Sequence, residues 1–100
     1  MIVIKGAIRI KPDAREAAIA AGNAVSEASE AEAGCVSYRF AFDTREPDLV
    51  HLFEVWESDD ALSAHSIEPH FTEFMAKVPD LVAGAVDVTR YDIAKSGPLF

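Results

Sequence analysis

The sequence predicts an α+β protein whose elements follow the order β-α-β-β-α-β along 100 residues. Two observations indicate this order. Stretches of alternating apolar residues mark strands, and runs of apolar residues at a spacing of three and four mark the helices between them. This order is that of the ferredoxin-like split βαβ fold, an antiparallel sheet with both helices on one face. The opposite face of such a sheet needs a separate cover.

Length and charge restrict the possible functions. One hundred residues form a single domain, residues 1–100, with 94–100 as a C-terminal tail. The net charge of −8 argues against nucleic acid or an anionic membrane as a partner, because both bind basic surfaces. A single cysteine and the lack of a signal-peptide pattern are typical of a cytoplasmic protein.

The first strand is predicted from isoleucines that recur at alternate positions, namely Ile2, Ile4, Ile8 and Ile10. Gly6 interrupts this row, either to make room for a ligand or to allow a bulge or the close approach of a helix. The strand ends at Pro12–Asp13. Asp13 and Glu16 have the spacing of a capping box for the helix that follows.

The first helix is predicted over 17–28, where small apolar residues recur at helical spacing and allow the helix to lie close to the sheet. Its acidic residues, Glu27, Glu30 and Glu32, are interpreted as a solvated face. Gly34 is predicted to end the helix as its C′ residue.

The second strand is predicted from Cys35 to Phe42, with Val36, Tyr38, Phe40 and Phe42 on one side. This aromatic side forms either core or the wall of a pocket. The hydroxyl of Tyr38 needs a hydrogen-bond partner if it is buried.

The third strand, from Leu49 to Trp56, is apolar on both faces and therefore needs a layer against each. The helices of the chain supply one layer. A chain of this size has little material for the other, so we expect a homodimer formed through the exposed sheet face.

Helical signals follow the third strand. Ser58 is predicted as an N-cap, and it is followed by Ala61, Leu62 and His65, which share one helical face. Pro69 starts the next helix, which Pro79 is expected to kink or split. The last strand is predicted over 86–93.

The order and spacing of several residues resemble the signature of the antibiotic biosynthesis monooxygenase domain family. They are Glu54-x-Trp56-x-Ser58, Ala64-His65, Pro69-His70-Phe71-x-x-Phe74, and upstream the segment from Ala33 to Tyr38. The resemblance extends from Ile2 to Ile93. It implies a dimeric α+β barrel, in which two sheets pack face to face and each subunit keeps a pocket between its sheet and helices.

The resemblance also indicates the candidate site. His65 is the leading catalytic candidate, because imidazole exchanges protons near neutral pH, although a histidine hydrogen-bonded within the core is the structural alternative. Tyr38 is expected to hydrogen-bond a developing oxyanion. The expected substrate-binding residues are Trp56, Phe40, Phe71, Phe74 and Glu54, with core packing as the alternative for the aromatic ones.

Two further expectations concern polar residues near this site. Glu54 has the same strand parity as Trp56, and it is expected either to orient His65 or to pair with Arg39, Arg90 or a residue of a second subunit. His70 lies between acidic residues in sequence and is expected to be exposed.

The function implied by the resemblance is a cofactor-independent monooxygenase of a small electron-rich aromatic such as a phenol, quinol or anthrone. No metal is expected from three histidines that are well separated in sequence. Haem cleavage is not expected either, since the family's haem-degrading branch uses asparagine, tryptophan and histidine where this chain has Gly6, His65 and Met75. The alternatives are an isomerase or degradation enzyme for a small carbonyl metabolite and a non-catalytic dimeric binding or stress protein.

Overall fold

The fold is an antiparallel four-stranded sheet with three α-helices, seen in a computed structural model that describes residues 1–100. In chain order the elements are β1 (Ile2–Arg9), α1 (Arg15–Glu30), β2 (Cys35–Phe42), β3 (Leu49–Trp56), α2 (Asp59–His65), α3 (Pro69–Leu81) and β4 (Asp87–Asp92). The strands lie in the order β2-β3-β1-β4. The predicted α+β class and ferredoxin-like topology are confirmed.

The element boundaries follow the sequence signals closely from β2 onward. β2 and β3 have the predicted bounds, and the Ser58 hydroxyl caps α2 by accepting a hydrogen bond from the Ala61 N–H. α3 begins at Pro69 as predicted. Pro79 lies within α3 without ending it, so the helix continues to Leu81.

Two predictions around α1 are wrong. The capping box is absent, because Pro12 starts a short 3-10 turn (Pro12–Ala14) that contains Asp13, and α1 begins only after it without a side-chain cap. Gly34 does not end α1, which stops at Glu30. It lies in the turn that enters β2 with a φ of +84°, a conformation that favours glycine.

The inner face of the sheet carries the core. Two buried clusters lie along it, one around Trp56 and Val25 and the other around Ile8 and Leu81. Gly6 fits a crowded position on this face, since an added Cβ would lie 3.1 Å from the Val88 side chain on the neighbouring strand. The register of β1 is regular at Gly6, and the three atoms nearest to the added Cβ belong to neighbouring strands, so neither the expected bulge nor the expected helix approach is observed.

A bulge at the start of β2 alters the predicted alternation. Cys35 pairs opposite Trp56 and Ser37 opposite Val55, so Val36 is an extra residue on the bulged strand. Val36 is consequently exposed, and Cys35 packs against the core in its place. The alternation predicted from Tyr38 onward is observed.

The outer face of the sheet has no cover from the chain's own helices. Its apolar residues include Val3, Val55, Phe53 and Tyr91, and the last two are about half exposed. None of the helices has the length and apolar character that a bilayer crossing requires.

Candidate active site

A cavity of about 570 Å³ lies between the inner sheet face and helices α1 and α3. Its walls are almost entirely apolar and include Tyr38, Phe40, Phe71 and Phe74. The residues Met75, Val86 and Val88 also line it and are about half exposed, so the cavity opens between α3 and β4. A volume above about 300 Å³ is typical of sites for small organic molecules.

A second, smaller cavity of about 320 Å³ lies beside α2. His65 lines this cavity and not the larger one. Glu54 and Phe71 line both, so these two side chains form the walls that the cavities share.

His65 is the last residue of α2 and is 2% exposed. Its Nδ1 lies 2.7 Å from the Glu32 carboxylate. Because an ionised carboxylate only accepts hydrogen bonds, the neutral imidazole carries its hydrogen on Nδ1 and leaves Nε2 as an acceptor. Nε2 is buried and has no hydrogen-bond partner. The imidazole ring packs against Trp56 and Phe71, with centroid distances of 4.7 and 4.9 Å.

Glu32 reaches His65 because the turn between α1 and β2 lies very close to α2. A Cβ at Gly34 would lie only 2.5 Å from the Ala61 Cβ, so glycine permits the contact. The Glu32 carboxylate also lies 2.8 Å from Nε2 of His70, near the start of α3. The interpretation of Glu32 as solvated is therefore wrong, and His70 is partly buried rather than exposed.

Glu30, the second of the residues expected on a solvated face, also has partners. Its carboxylate accepts hydrogen bonds from the Tyr38 backbone N–H and from the Arg39 side chain, and the first of these contributes most to lowering the Glu30 pKa.

Sequence reasoning missed Glu32 and His70 as members of the site. Glu32 lies 33 residues before His65 and 38 residues before His70 in sequence, and no local pattern links positions so far apart.

Glu54 lies opposite Tyr38 on the neighbouring strand. Its carboxylate accepts a hydrogen bond of 2.9 Å from the Trp56 indole N–H. Burial raises the pKa of Glu54, and this effect outweighs the hydrogen bond, which lowers it. The expected pairing with Arg39 or Arg90 is absent, since those side chains bind Glu30 and the pair Asp59 and Asp92. The alternative in which Glu54 orients His65 is also not observed, because Glu32 has that contact.

Tyr38 is 2% exposed and lines the larger cavity. Burial, with a smaller contribution from the charge of Glu54, raises the pKa of the Tyr38 phenol far above its usual value. The hydroxyl therefore remains protonated at neutral pH and is available as a hydrogen-bond donor.

The predicted site residues thus divide into three groups. Phe40, Phe71 and Phe74 line the larger cavity together with Tyr38 and Glu54, while His65 lies just outside it, its ring 5.4 Å from that of Tyr38. Trp56 is fully buried and lines neither cavity, so the structure places it in the core beneath His65.

A ferredoxin-like sheet, an apolar cavity under its helices and a buried histidine beside that cavity together define a small α+β domain whose cavity has the size of sites for small organic molecules. Comparison with known proteins gives the family. The family model described as "Antibiotic biosynthesis monooxygenase" matches residues 1–77, and the chain belongs to this family. The resemblance seen in the sequence is confirmed.

Three relatives show how closely the chain resembles known members. An uncharacterized Synechocystis protein, sll1783, is 41% identical over 98% of this chain and 67% of its own length. The Bacillus subtilis protein YcnE, provisionally named a monooxygenase, is 28% identical over 95% of this chain and 100% of its own. The solved structure of Rv0793 from Mycobacterium tuberculosis superposes with a TM-score of 0.88 at 29% identity, covering 97% of this chain and 98% of that one.

Proposed function

We propose that the protein is a cofactor-independent monooxygenase of a small, electron-rich aromatic compound of the phenol, quinol or anthrone type. The observation that carries this proposal is an apolar cavity of ring size that meets a buried, oriented histidine across the shared walls Glu54 and Phe71. The family name and the provisional name of the Bacillus subtilis relative support oxygenase chemistry.

The substrate ring lies in the larger cavity against Phe40, Phe71 and Phe74, which line it. Its oxygen points to the end of the cavity where Tyr38 and Glu54 lie opposite each other. The protonated Tyr38 hydroxyl donates a hydrogen bond to this oxygen as negative charge develops on it. Trp56 supports the His65 ring from the core side and does not touch the substrate.

The reaction begins when the oxygen-bearing end of the substrate passes the shared walls Glu54 and Phe71 into the smaller cavity, which His65 lines, and Nε2 of His65 accepts a proton from it. Glu32 holds the imidazole in the required tautomer. The substrate anion then supplies the electron pair that forms a bond between ring carbon and O₂. The resulting peroxide takes back the proton. The O–O bond of this hydroperoxide then breaks. The outer oxygen leaves as water, taking its own hydrogen and the remaining hydrogen of the same ring carbon. The inner oxygen stays on that carbon as a carbonyl. The dry walls protect the anion from reprotonation by water.

The alternative functions receive less support. A small polar carbonyl metabolite needs several hydrogen-bonding groups, whereas the polar side chains lining the larger cavity are those of Asn23, Glu54 and Tyr38. A non-catalytic protein with a vestigial site would have Phe40, Trp56 and Phe71 packed together without space for a ring. The cavity of about 570 Å³ argues against that arrangement.

The test is oxygen uptake with a panel of phenols, quinols and anthrones, without added flavin or metal. We expect His65→Ala to lower turnover at least about tenfold, because general-base catalysis usually contributes about 10²–10⁴-fold. His51→Ala is the matched control, since His51 also pairs with a carboxylate but lies outside both cavities. Unchanged turnover in His65→Ala would remove His65 from the mechanism, and no uptake with any compound would overturn the proposed reaction.

We further propose that two chains form a homodimer through the outer sheet face. Phe53 and Tyr91 are 46% and 47% exposed there, beside Val3 and Val55, and a second copy would cover all four. Sedimentation of the full chain at micromolar concentration is expected to show a dimer. Phe53→Glu is expected to give folded monomers, whereas Ile67→Glu, at a position 82% exposed, leaves the dimer intact. A compact wild-type monomer would contradict this assembly.

A further inference from the structure

Three potential metal-binding atoms meet where α2 and α3 approach the turn after α1. They are Oε2 of Glu32, Nδ1 of His65 and Nε2 of His70, and all lie within 4.8 Å of one another. We propose that these three residues bind a divalent transition-metal cation, with Zn²⁺ as the best-suited ion. This inference goes beyond the proposed oxygenase reaction, which needs no metal.

The donor set fits this class of cation. Two imidazole nitrogens and one carboxylate oxygen are the ligands of many zinc sites that leave a coordination position open. Imidazole favours Zn²⁺ and its neighbours in the first transition row over Mg²⁺ or Ca²⁺, which prefer oxygen ligands.

The geometry requires only a small movement. The carboxylate oxygen now lies 2.7 and 2.8 Å from the two nitrogens. Ligands about 2.0–2.1 Å from a tetrahedral Zn²⁺ lie about 3.3 Å apart, so the oxygen separates from each nitrogen by roughly half an ångström when the cation enters. The two nitrogens, which lie within 4.8 Å of each other, adopt the same spacing. His70 can supply this movement, because its side chain is 22% exposed near the first turn of α3.

The ligands are also held by well-packed parts of the chain. His65 is buried at the end of α2, and Glu32 is fixed by the turn in which Gly34 contacts Ala61. A site assembled in advance loses little conformational entropy when it binds a cation.

The surroundings carry negative charge. The chain has a net charge of −8, and the Glu32 carboxylate has no lysine or arginine partner, only His65 and His70. A cation gains from this field, whereas an anion would be repelled.

The two roles of His65 use different nitrogen atoms. The cation takes Nδ1, and the imidazole hydrogen then resides on Nε2, which faces away from Glu32. This step rests on the proposed function, in which Nε2 accepts the proton of the substrate. In the metal-bound form Nε2 carries a hydrogen and can no longer accept one. The cation is therefore an inhibitor of the reaction rather than its cofactor.

The proposal is tested by isothermal titration of the full, untagged, chelator-treated protein with ZnCl₂. The visible absorption of bound Co²⁺ provides a second signal, and neither measurement depends on activity. We expect one Zn²⁺ per chain. His70→Ala is expected to weaken binding at least about tenfold, and Glu32→Gln to do the same while preserving the shape of the side chain.

His51→Ala is the control, because His51 and Asp43 form a histidine–carboxylate pair of similar length without a third ligand. It is expected to leave Zn²⁺ affinity unchanged. Binding too weak to saturate at millimolar Zn²⁺ would overturn the proposal. So would unchanged affinity in His70→Ala, a result that circular dichroism separates from misfolding. Either result leaves the oxygen-uptake test unaffected.

Discussion

The chain contains two histidine–carboxylate contacts that are nearly equal in length but differ in their surroundings. His65 and Glu32 are 2.7 Å apart, with side chains 3% and 12% exposed, whereas His51 and Asp43 are 2.9 Å apart and 43% and 20% exposed. Water screens the second pair, and exposed ion pairs contribute little to stability. The first pair is shielded from water and faces a cavity. Burial, rather than the contact itself, distinguishes a candidate for chemistry from a surface pair.

The two pairs are also assembled differently. His51 and Asp43 lie eight residues apart across a single hairpin. His65 and Glu32 lie 33 residues apart and meet only because the turn at Gly34 fits against α2. The buried pair therefore depends on tertiary packing at a single close contact.

The largest expected effect comes from breaking that contact. Gly34→Ala combines a positive φ, which costs about 1–2 kcal/mol for other residues, with a Cβ 2.5 Å from Ala61. We expect a loss of about 2–5 kcal/mol in the free energy of unfolding, since overpacking typically costs a further ~1–3 kcal/mol. Chemical denaturation measures it.

Gly84→Ala is the matched control for this substitution. Gly84 has a similar φ of +88° but nothing within 4 Å of an added Cβ. It reports the cost of backbone conformation alone. Equal losses in the two variants would show that the contact between Gly34 and Ala61 does not matter.

The next effect comes from removing the carboxylate of the buried pair. Glu32→Ala leaves the buried Nδ1 of His65 without its acceptor, and an unsatisfied buried group of this kind costs about 1–3 kcal/mol. A lower midpoint of urea denaturation at pH 7 is expected. An unchanged midpoint would mean that water replaces the carboxylate without cost, and the contrast with His51 would then lose its basis.

Removing the charge of Glu54, which lies in the same buried region, is expected to raise stability rather than lower it. Burial raises its pKa in the folded protein above the ordinary 4.5, so its contribution to stability is greatest below that pH and declines as the pH rises through the folded pKa. Glu54→Gln keeps an oxygen for the Trp56 indole but removes the charge. We expect its Tm to exceed that of the wild type by a few degrees at pH 7, with the difference vanishing near pH 4. A lower Tm at pH 7 would show that the ionised carboxylate stabilises the fold.

The smallest effect is expected at the exposed pair. In the monomeric Phe53→Glu background, where the outer sheet face is uncovered, His51→Ala should leave the denaturation midpoint within experimental error at pH 7. The pair is solvated there, and Asp43 retains its hydrogen bonds to the backbone N–H groups of Arg45 and Glu46. A loss as large as that of Glu32→Ala would remove the distinction between the two pairs.

Local patterns predicted much of the fold. Alternation gave the bounds of β2 and β3, and the Ser58 cap and Pro69 gave the starts of α2 and α3, because these signals act between near neighbours in sequence. The apolar neighbours of His65 in α2 predicted its partial burial correctly.

The parts of the site that could not be predicted depend on distant contacts. Glu32 has the composition of a solvated helix residue, and only the path of the turn past Gly34 brings it to His65 and His70. The bulge at Val36 likewise depends on how β2 pairs with β3. Neither the contacts of Glu32 nor the bulge at Val36 can be predicted from the periodicity of neighbouring residues in the sequence.

Trp56 is the only tryptophan of the chain, and its ring centroid lies 4.7 Å from that of His65. The intrinsic fluorescence of the protein at long wavelength therefore comes from one fully buried indole in contact with the imidazole. A change of charge or ligation at that imidazole alters the quenching of a single emitter, with no second tryptophan to obscure it. The molecule thus carries its own optical probe of the site, and titrations can be followed without a label.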